Sequence, residues 1–495
     1  MSDEDRRDVG TGDPDGDAVR FVDERLGASP LLRKAMRYLF PDHWSFLIGE
    51  IALYSFIVLV LTGTYLALFF DDSTSTTVYH GSFAPLAGQT VSEAYASTVS
   101  LSYDVPAGLL MRQTHHWAAL IFIAAIVVHL MRVFFTGAFR KPRDVNWMIG
   151  LTLLVFAILE GFAGYSLPDD LLSGMGLAIG YGVALSIPFV GANVAFLIWG
   201  GQFPGGASFE PRLFIAHVFL LPALLASLIT VHLAIIMRQK HSQFPGPGHR
   251  EDNVVGTPLW PGYALRATGL LFAVAGVLIL LGGLVQINPV WQYGPFEPWL
   301  GTNGAQPDWY LGWLIGALRL MPALEIHVFG YTPIPNPFFG GILFPGVVFS
   351  VLYGWPAFER RVTRDRARHD LLDRPRDNPW RTATGSAFFS WVAIIFTAGS
   401  ADRILVSVGI PYVSQVWFFR IAAFVVPILV FFAVRRICRQ LRASELHPLR
   451  EWTGTTVARN KAGGYDPIAR STPDAPGGQS PTRGARSGTG GRAEQ

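Results

Sequence analysis

The chain has 495 residues; half are apolar, 15% are charged, 13% are aromatic, and the formal net charge is +3. Soluble globular domains carry about 25% charged residues, so this deficit excludes an ordinary cytosolic enzyme, a disordered protein and a nucleic-acid binder. A single cysteine, Cys438, excludes an intramolecular disulfide, a Cys-x-x-Cys-His haem attachment, an iron–sulfur cluster and a cysteine-based zinc site.

Residues 1–46 read as a cytoplasmic N-terminal segment. The stretch 1–30 is acidic and polar and reads as carrying no secretory leader. Leu31–Phe40, apolar with Arg33, Lys34 and Arg37, reads as an amphipathic helix on the inner membrane surface. Eight apolar stretches follow, set against the roughly 20 residues that a crossing needs: Leu47–Phe70, His115–Phe135, Trp147–Leu167, Leu213–Met237, Leu265–Val285, Gly341–Pro356, Ala387–Ala401 and Val416–Val434. Lipid offers no partner for backbone polar groups, so helices are expected. The fold class is therefore an all-α membrane protein with eight transmembrane helices.

The first four spans, residues 47–237, form one bundle. Its outer loop carries Leu171–Tyr181 and Ile187–Trp199, apolar but too short to cross. Residues 238–263 are a cytoplasmic loop. Residues 264–437 hold the last four spans and a long outer loop from Gln286 to about Phe339, in which further amphipathic helices are expected. Residues 438–495 read as a cytoplasmic tail, disordered from about 453 on its Gly, Ser, Pro, Thr and Arg content.

Orientation follows from basic residues in alternate loops. The loops after the second, fourth and sixth spans hold three (Arg140, Lys141, Arg143), three (Arg238, Lys240, Arg250) and eight, while those between them hold one each: Arg112, Arg212, Arg319 and Arg403. Both termini are thus cytoplasmic.

The second span contains His115 and His129, the fourth His217 and His232. Ionisable side chains inside membrane helices mark function by default. Fourteen helical residues advance about 21 Å and return to nearly the same face, so each helix offers two imidazoles at two depths. The two spans run parallel, which pairs His115 with His217 near the outer face and His129 with His232 near the cytoplasmic face. Two facing imidazoles at each depth suit two bis-histidine haems, which have no open axial position and favour electron transfer. A zinc ion wants about four ligands, and no cysteine or carboxylate is expected on these faces. A proton relay would not explain the paired spacing. Gly49 and Gly63 on the first span, and Gly150 and Gly164 on the third, repeat the His115-to-His129 interval; they leave room for a flat macrocycle or simply pack helices. Arg112 and Arg132 are candidates for haem propionates, or are interface anchors.

These spacings resemble the cytochrome b of quinol–cytochrome c oxidoreductases. Pro307-Asp308-Trp309-Tyr310 is similar to that family's Pro-Glu-Trp-Tyr, and Gly164-Tyr165-Ser166-Leu167-Pro168 to its Gly-Tyr-x-Leu-Pro. Ile187-Pro188-Phe189-Val190-Gly191 and Trp199-Gly200-Gly201 fit the loop that follows. Asn288-Pro289-Val290-Trp291, Gln306 through Tyr310 and Ala317-Leu318-Arg319 look most like the actinobacterial type. The resemblance runs from about Trp44 to Val434. Three positions depart from it: Asp308 is one methylene shorter than Glu, Asp169-Asp170 stand where mitochondrial members have Trp-Gly, and Ala267 stands where they carry an acid at the inner quinone site.

The resemblance implies a bacterial plasma-membrane subunit that oxidises menaquinol at the outer face. One electron goes to a Rieske iron–sulfur subunit and a di-haem cytochrome c; the other passes through both b-type haems to a quinone near the cytoplasm, contributing to the proton gradient. It also implies a homodimer of the complex and association with a terminal cytochrome c oxidase. With one cysteine, the iron–sulfur cluster and covalent haem belong to other chains. Asp308 is the candidate proton acceptor, or a loop cap. Tyr165 and Tyr310 are candidates to hydrogen-bond the quinol, or are interface aromatics. Lys240, His241 and Trp44 are candidates for the inner quinone site; Lys240-His241 either supplies protons or simply marks topology. Two other readings compete. A cytochrome b anchoring another dehydrogenase would have fewer spans and lack Pro307–Tyr310. A transporter would show broken helices and internal repeats.

Overall fold

The computed structural model describes residues 21, 23–25, 27, 34–300, 306–446, 456–459 and 465–468. The first four long helices are α1 (Leu47–Leu66), α3 (Gly108–Phe135), α4 (Asp144–Tyr165) and α7 (Phe209–Gln239), with α2 (Glu93–Tyr103) in the loop between α1 and α3. Between α4 and α7 run α5 (Leu171–Leu185) and α6 (Gly191–Trp199). Then follow α8 (Ala264–Leu284), the short α9 (Gly312–Leu320), α10 (Asn336–Thr363), α11 (Pro379–Ala398) and α12 (Tyr412–Leu446).

Seven of these helices are long and apolar enough to cross a membrane. Of the eight expected spans the exception is the one at Ala387–Ala401, most of which falls on α11. That helix has the length, 20 residues, but opens on Pro-Trp-Arg-Thr-Ala-Thr-Gly-Ser, which dilutes its apolar character. Arg381 in that opening is buried and ion-paired with Glu359 and, at 2.6 Å, Asp373.

Two other expectations are corrected. Within Leu31–Phe40, residues 31–33 lie outside the described residues. Only a single helical turn at 34–36 appears, followed by strand β1 (Leu39–Phe40), which pairs antiparallel with β4 (Thr257–Pro258). This two-residue strand satisfies its backbone on the loop before α8 rather than lying free on the surface. At the other end, α12 continues through Leu446, beyond the boundary expected at residue 438, because Arg435-Arg436-Ile437-Cys438-Arg439-Gln440-Leu441-Arg442 keeps helix-forming side chains. Residues 440–495 form a second unit, where β7 (Thr456–Arg459) and β8 (Tyr465–Ile468) pair antiparallel inside the segment expected to be disordered. The rest of that tail lies outside the described residues.

The main core lies where α3 and α4 meet α9, α10 and α11. Phe122, Ile123 and Phe134 of α3 and Trp147, Leu151 and Leu154 of α4 pack with Tyr310, Phe344, Val348 and Ile395. By contrast α7 and α8 leave Phe219, Phe272 and Leu284 exposed. Water would penalise such surface, and lipid would not.

Candidate functional site

The histidines sit where helix geometry sends them. His115 and His217 face each other across the bundle, ring centroids 6.1 Å apart and planes 82° from parallel. Thr62 of α1 fixes the first ring, its hydroxyl 3.0 Å from His115 Nδ1. His217 Nδ1 lies 3.0 Å from Glu160 Oε1 of α4, in ion-pair range but out of line for a hydrogen bond. Glu160 stands on α4, a carboxylate beside the outer pair that belongs to neither histidine-bearing helix. The signal was present, since Glu160 precedes Gly164 by one helical turn.

Each imidazole meets one of the four glycines. A Cβ built on Gly63 would stand 3.0 Å from His115 Cε1, and on Gly49 3.2 Å from His129 Cε1. On Gly164 it would stand 2.3 Å from His217 Cε1, and on Gly150 3.6 Å from His232 Cε1. Helices α1 and α4 thus give up side chains so that α3 and α7 can seat their rings.

The interval from His217 to His232 in α7 is one residue longer than that from His115 to His129 in α3, and the structure accounts for the odd residue. Ala216–Leu220 form a π-turn around His217. A π-turn inserts one residue into an α-helix, so the longer interval returns to the face that the shorter one reaches in α3. A testable consequence concerns single deletions. Removing Val218, inside the π-turn, should leave a regular helix and keep His232 on its face. Removing Ala226, below it, should rotate His232 by about 100° and cost the inner haem. Haem counts of the two deletion variants check this; equal counts would refute it.

The pocket residues fit a haem on three grounds. His129, His217 and His232 have buried Nδ1 atoms without hydrogen-bond partners. A Cβ at Gly49, Gly63 or Gly164 would crowd its imidazole. Arg112 and Arg132 each bury Nε and Nη2 without partners, cationic donors suited to carboxylates such as propionates. Arg112 spends only Nη1, on the Asn288 carbonyl at 3.2 Å, and Arg132 lies over the Phe46 ring at 4.3 Å. Among the described residues, no three His, Cys, Asp or Glu side chains converge as an ion site.

Beside the outer pair lies a second cluster. Asp308, before the short turn Trp309–Leu311, binds His116 Nε2 through both oxygens, at 2.8 and 2.9 Å. Asn288 Nδ2 donates to Oδ1 at 3.2 Å, and Tyr310 O–H donates to Oδ2 at 3.3 Å. Burial, then the charge of Asp308, pushes the Tyr310 phenol well above its ordinary range, so it keeps its proton. Gly161 admits Tyr310, whose hydroxyl would lie 2.8 Å from a Cβ there. One helix, α4, therefore seats both Tyr310 (Gly161) and His217 (Gly164). Tyr165 donates to the Leu172 carbonyl at 2.8 Å.

Sequence reasoning missed His116 and Asn288. A doublet His115-His116 puts the second ring about 100° round the helix, which was readable. Asn288 is far from His116 along the chain, and the string Asn288-Pro289-Val290-Trp291 gave no role for its amide. The Asp169-Asp170 departure is structural in part: Asp170 caps α5 through a reciprocal pair with Ser173. Burial pushes Asp169 up to about 6.

On the inner side, His241 Nδ1 lies 3.3 Å from the Tyr38 hydroxyl, and its ring contacts Phe40 at 4.9 Å. Burial and the charges of Arg143 and Arg132 lower its pKa to about 4, so at neutral pH it is uncharged. Lys240 has a left-handed backbone (φ 64°) and offers its carbonyl to Arg143 Nη2 at 2.9 Å. Trp44 is 71% exposed and stacked on His43 at 5.7 Å. His241 alone of the three sits within a packed cluster.

The chain is similar to known proteins along most of its length. A family model described as cytochrome b (N-terminal)/b6/petB matches residues 120–295. The chain is 47% identical over 430 residues to the cytochrome bc1 complex cytochrome b subunit of Streptomyces coelicolor, covering 87% of this chain and 78% of that one. It is 45% identical over 439 residues to the subunit of the same name from Mycobacterium leprae, covering 88% and 79%. A solved structure, a hyperthermophilic respiratory Complex III, superposes with a TM-score of 0.64 at 19% identity, covering 86% of this chain and 99% of that one; at that identity the likeness speaks for the fold.

Proposed function

The chain belongs to the family of cytochrome bc1 complex cytochrome b subunits, an integral membrane subunit of respiratory electron transfer, and from that premise we propose a specific division of labour among its residues. Family membership implies b-type haem. In this reading there are two: one held by His115 and His217 near the outer face, one by His129 and His232 near the cytoplasmic face. Each would supply a one-electron carrier, held by one imidazole from α3 and one from α7. The observation that carries the reading is the match of four half-buried imidazoles to four glycines on the flanking helices. Arg112 and Arg132, with spare buried donors, take the propionates.

Menaquinol is oxidised at the outer face, where Asp308 accepts a proton. His116 and Asn288 hold the carboxylate in place, Tyr310 offers it a hydroxyl, and Tyr165 shapes the wall. One electron leaves to a Rieske subunit and onward to a di-haem cytochrome c; the other serves quinone reduction near the cytoplasm, beside His241, Lys240 and Trp44. The lone Cys438 supports placing the iron–sulfur cluster and covalent haem on partner chains. The reading includes a dimeric complex, association with a terminal cytochrome c oxidase, and a bacterial plasma membrane with both termini inside. Helix α11 is then the eighth crossing; its length and the alternation of basic loops support this.

A reduced-minus-oxidised visible spectrum of the purified subunit is expected to show two b-type haems per chain. A transporter, the third reading, would show none, and that result would overturn the assignment.

A further inference from the structure

Glu50 is an ionisable side chain that the roles above leave unused. It follows Gly49, the glycine against which His129 packs, and it stands in the first turn of the apolar α1. An acid within a crossing helix is rare and costly. Two phenols address its carboxylate, one at each oxygen. Tyr263, in the turn Leu259–Tyr263 that leads into α8, donates to Oε1. Tyr54, one helical turn along α1, donates to Oε2 at 3.1 Å. The Tyr263 ring in turn stacks on Phe40, centroids 3.8 Å apart and planes within 10°. Phe40 also contacts His241. The cluster thus joins a half-buried acid to flat aromatic faces at the cytoplasmic mouth of the bundle, the surroundings that a quinone ring fits. Ala267, one helical turn beyond Tyr263, offers no acid of its own.

We propose that Glu50, held by Tyr54 and Tyr263, is the carboxyl that gives a proton to a quinone oxygen at the cytoplasmic side. The inference rests on the quinone-reducing reading of that side given above. In the step, the carboxyl O–H bond breaks and an O–H bond forms on the quinone oxygen. The carboxylate left behind accepts from both phenols until water at the mouth reprotonates it. Each quinone takes two electrons, released by quinol oxidised at the outer face over two turnovers. Its second proton comes from cytoplasmic water. His241, uncharged at neutral pH, holds no surplus proton for this purpose, so it is left to hydrogen-bond the ring.

A mere pin between α1 and α8 would not respond to the redox state of the site. The test therefore uses the intact complex in native membranes. Reduced-minus-oxidised infrared spectra should contain a deuterium-sensitive carboxyl C=O band that Glu50→Gln abolishes. Glu50→Gln should keep both haems yet slow reoxidation of the reduced complex by an added menaquinone analogue by at least about tenfold. Glu50→Asp should recover part of that rate. A band that survives in Glu50→Gln, or reoxidation at the wild-type rate, overturns the proposal. Should Glu50→Gln fail to assemble, Tyr263→Phe decides: slower reoxidation with a shifted carboxyl band supports it, and wild-type behaviour in both overturns it. A wild-type chain without b-type haem would sink the parent reading instead, a result separable from either.

Discussion

Replacing His217 with alanine is expected to leave one b-type haem per chain where the parent holds two, with the outer one lost. The two levels are independent by construction. His129 and His232 lie about 21 Å deeper along their helices, against Gly49 and Gly150, and nothing in the outer pocket supports them. The glycines give the same experiment a graded form. At Gly164 an added Cβ would stand 2.3 Å from His217 Cε1, a distance at which the ring must move; at Gly150 the corresponding 3.6 Å from His232 is ordinary contact. Gly164→Ala should therefore cost the outer haem, with overpacking strain of about 1–3 kcal/mol, while Gly150→Ala should be tolerated. Haem per chain, measured as the pyridine haemochrome and resolved by low-temperature spectra, checks all three variants. Unchanged haem in His217→Ala would refute the pairing. So would a Gly150→Ala variant that suffers as much as Gly164→Ala.

What the sequence could say here followed from periodicity. Apolar runs of crossing length, basic residues in alternate loops, and histidines and glycines in step along their helices are all one-dimensional signals. Their consequences appear in α1, α3, α4 and α7. The extra residue in α7 was visible only as an irregularity, because a π-turn is set by backbone hydrogen bonds rather than by residue type. Helix α11 is the least legible of the eight: its polar opening is tolerated because Arg381 is paired with Glu359 on α10 and with Asp373 in the loop between. Cross-fold contacts outside that periodicity were not legible. Asn288 reaches Asp308, and Tyr263 reaches Glu50 from the start of α8. Glu160 and Glu50 were readable as acids in apolar helices, Glu160 one turn before Gly164 and Glu50 next to Gly49, but that spacing did not say which side chains they would meet.

Exchanging Asp308 for asparagine is expected to lower quinol oxidation by about 10²–10⁴-fold, the contribution of a positioned general base, while both haems stay bound. Asparagine matches aspartate in size and can still meet His116 and Asn288, so the pocket keeps its shape; what it lacks is the capacity to take a proton. The loss should therefore fall on kcat rather than KM, because substrate binding does not draw on the missing step. Asp308→Glu keeps the charge but carries the carboxyl one methylene further, out of the two-oxygen contact with His116 at 2.8 and 2.9 Å. It should retain more activity than Asp308→Asn. His116→Ala leaves the base in place but unanchored, which should also cost less than Asp308→Asn. Stopped-flow reduction of the b-type haems by menaquinol, with haem content measured in parallel, orders the series. If Asp308→Asn turns over at the parent rate with both haems present, the proton leaves by another group, and the cluster around His116 is a structural clamp between α3 and the outer loop.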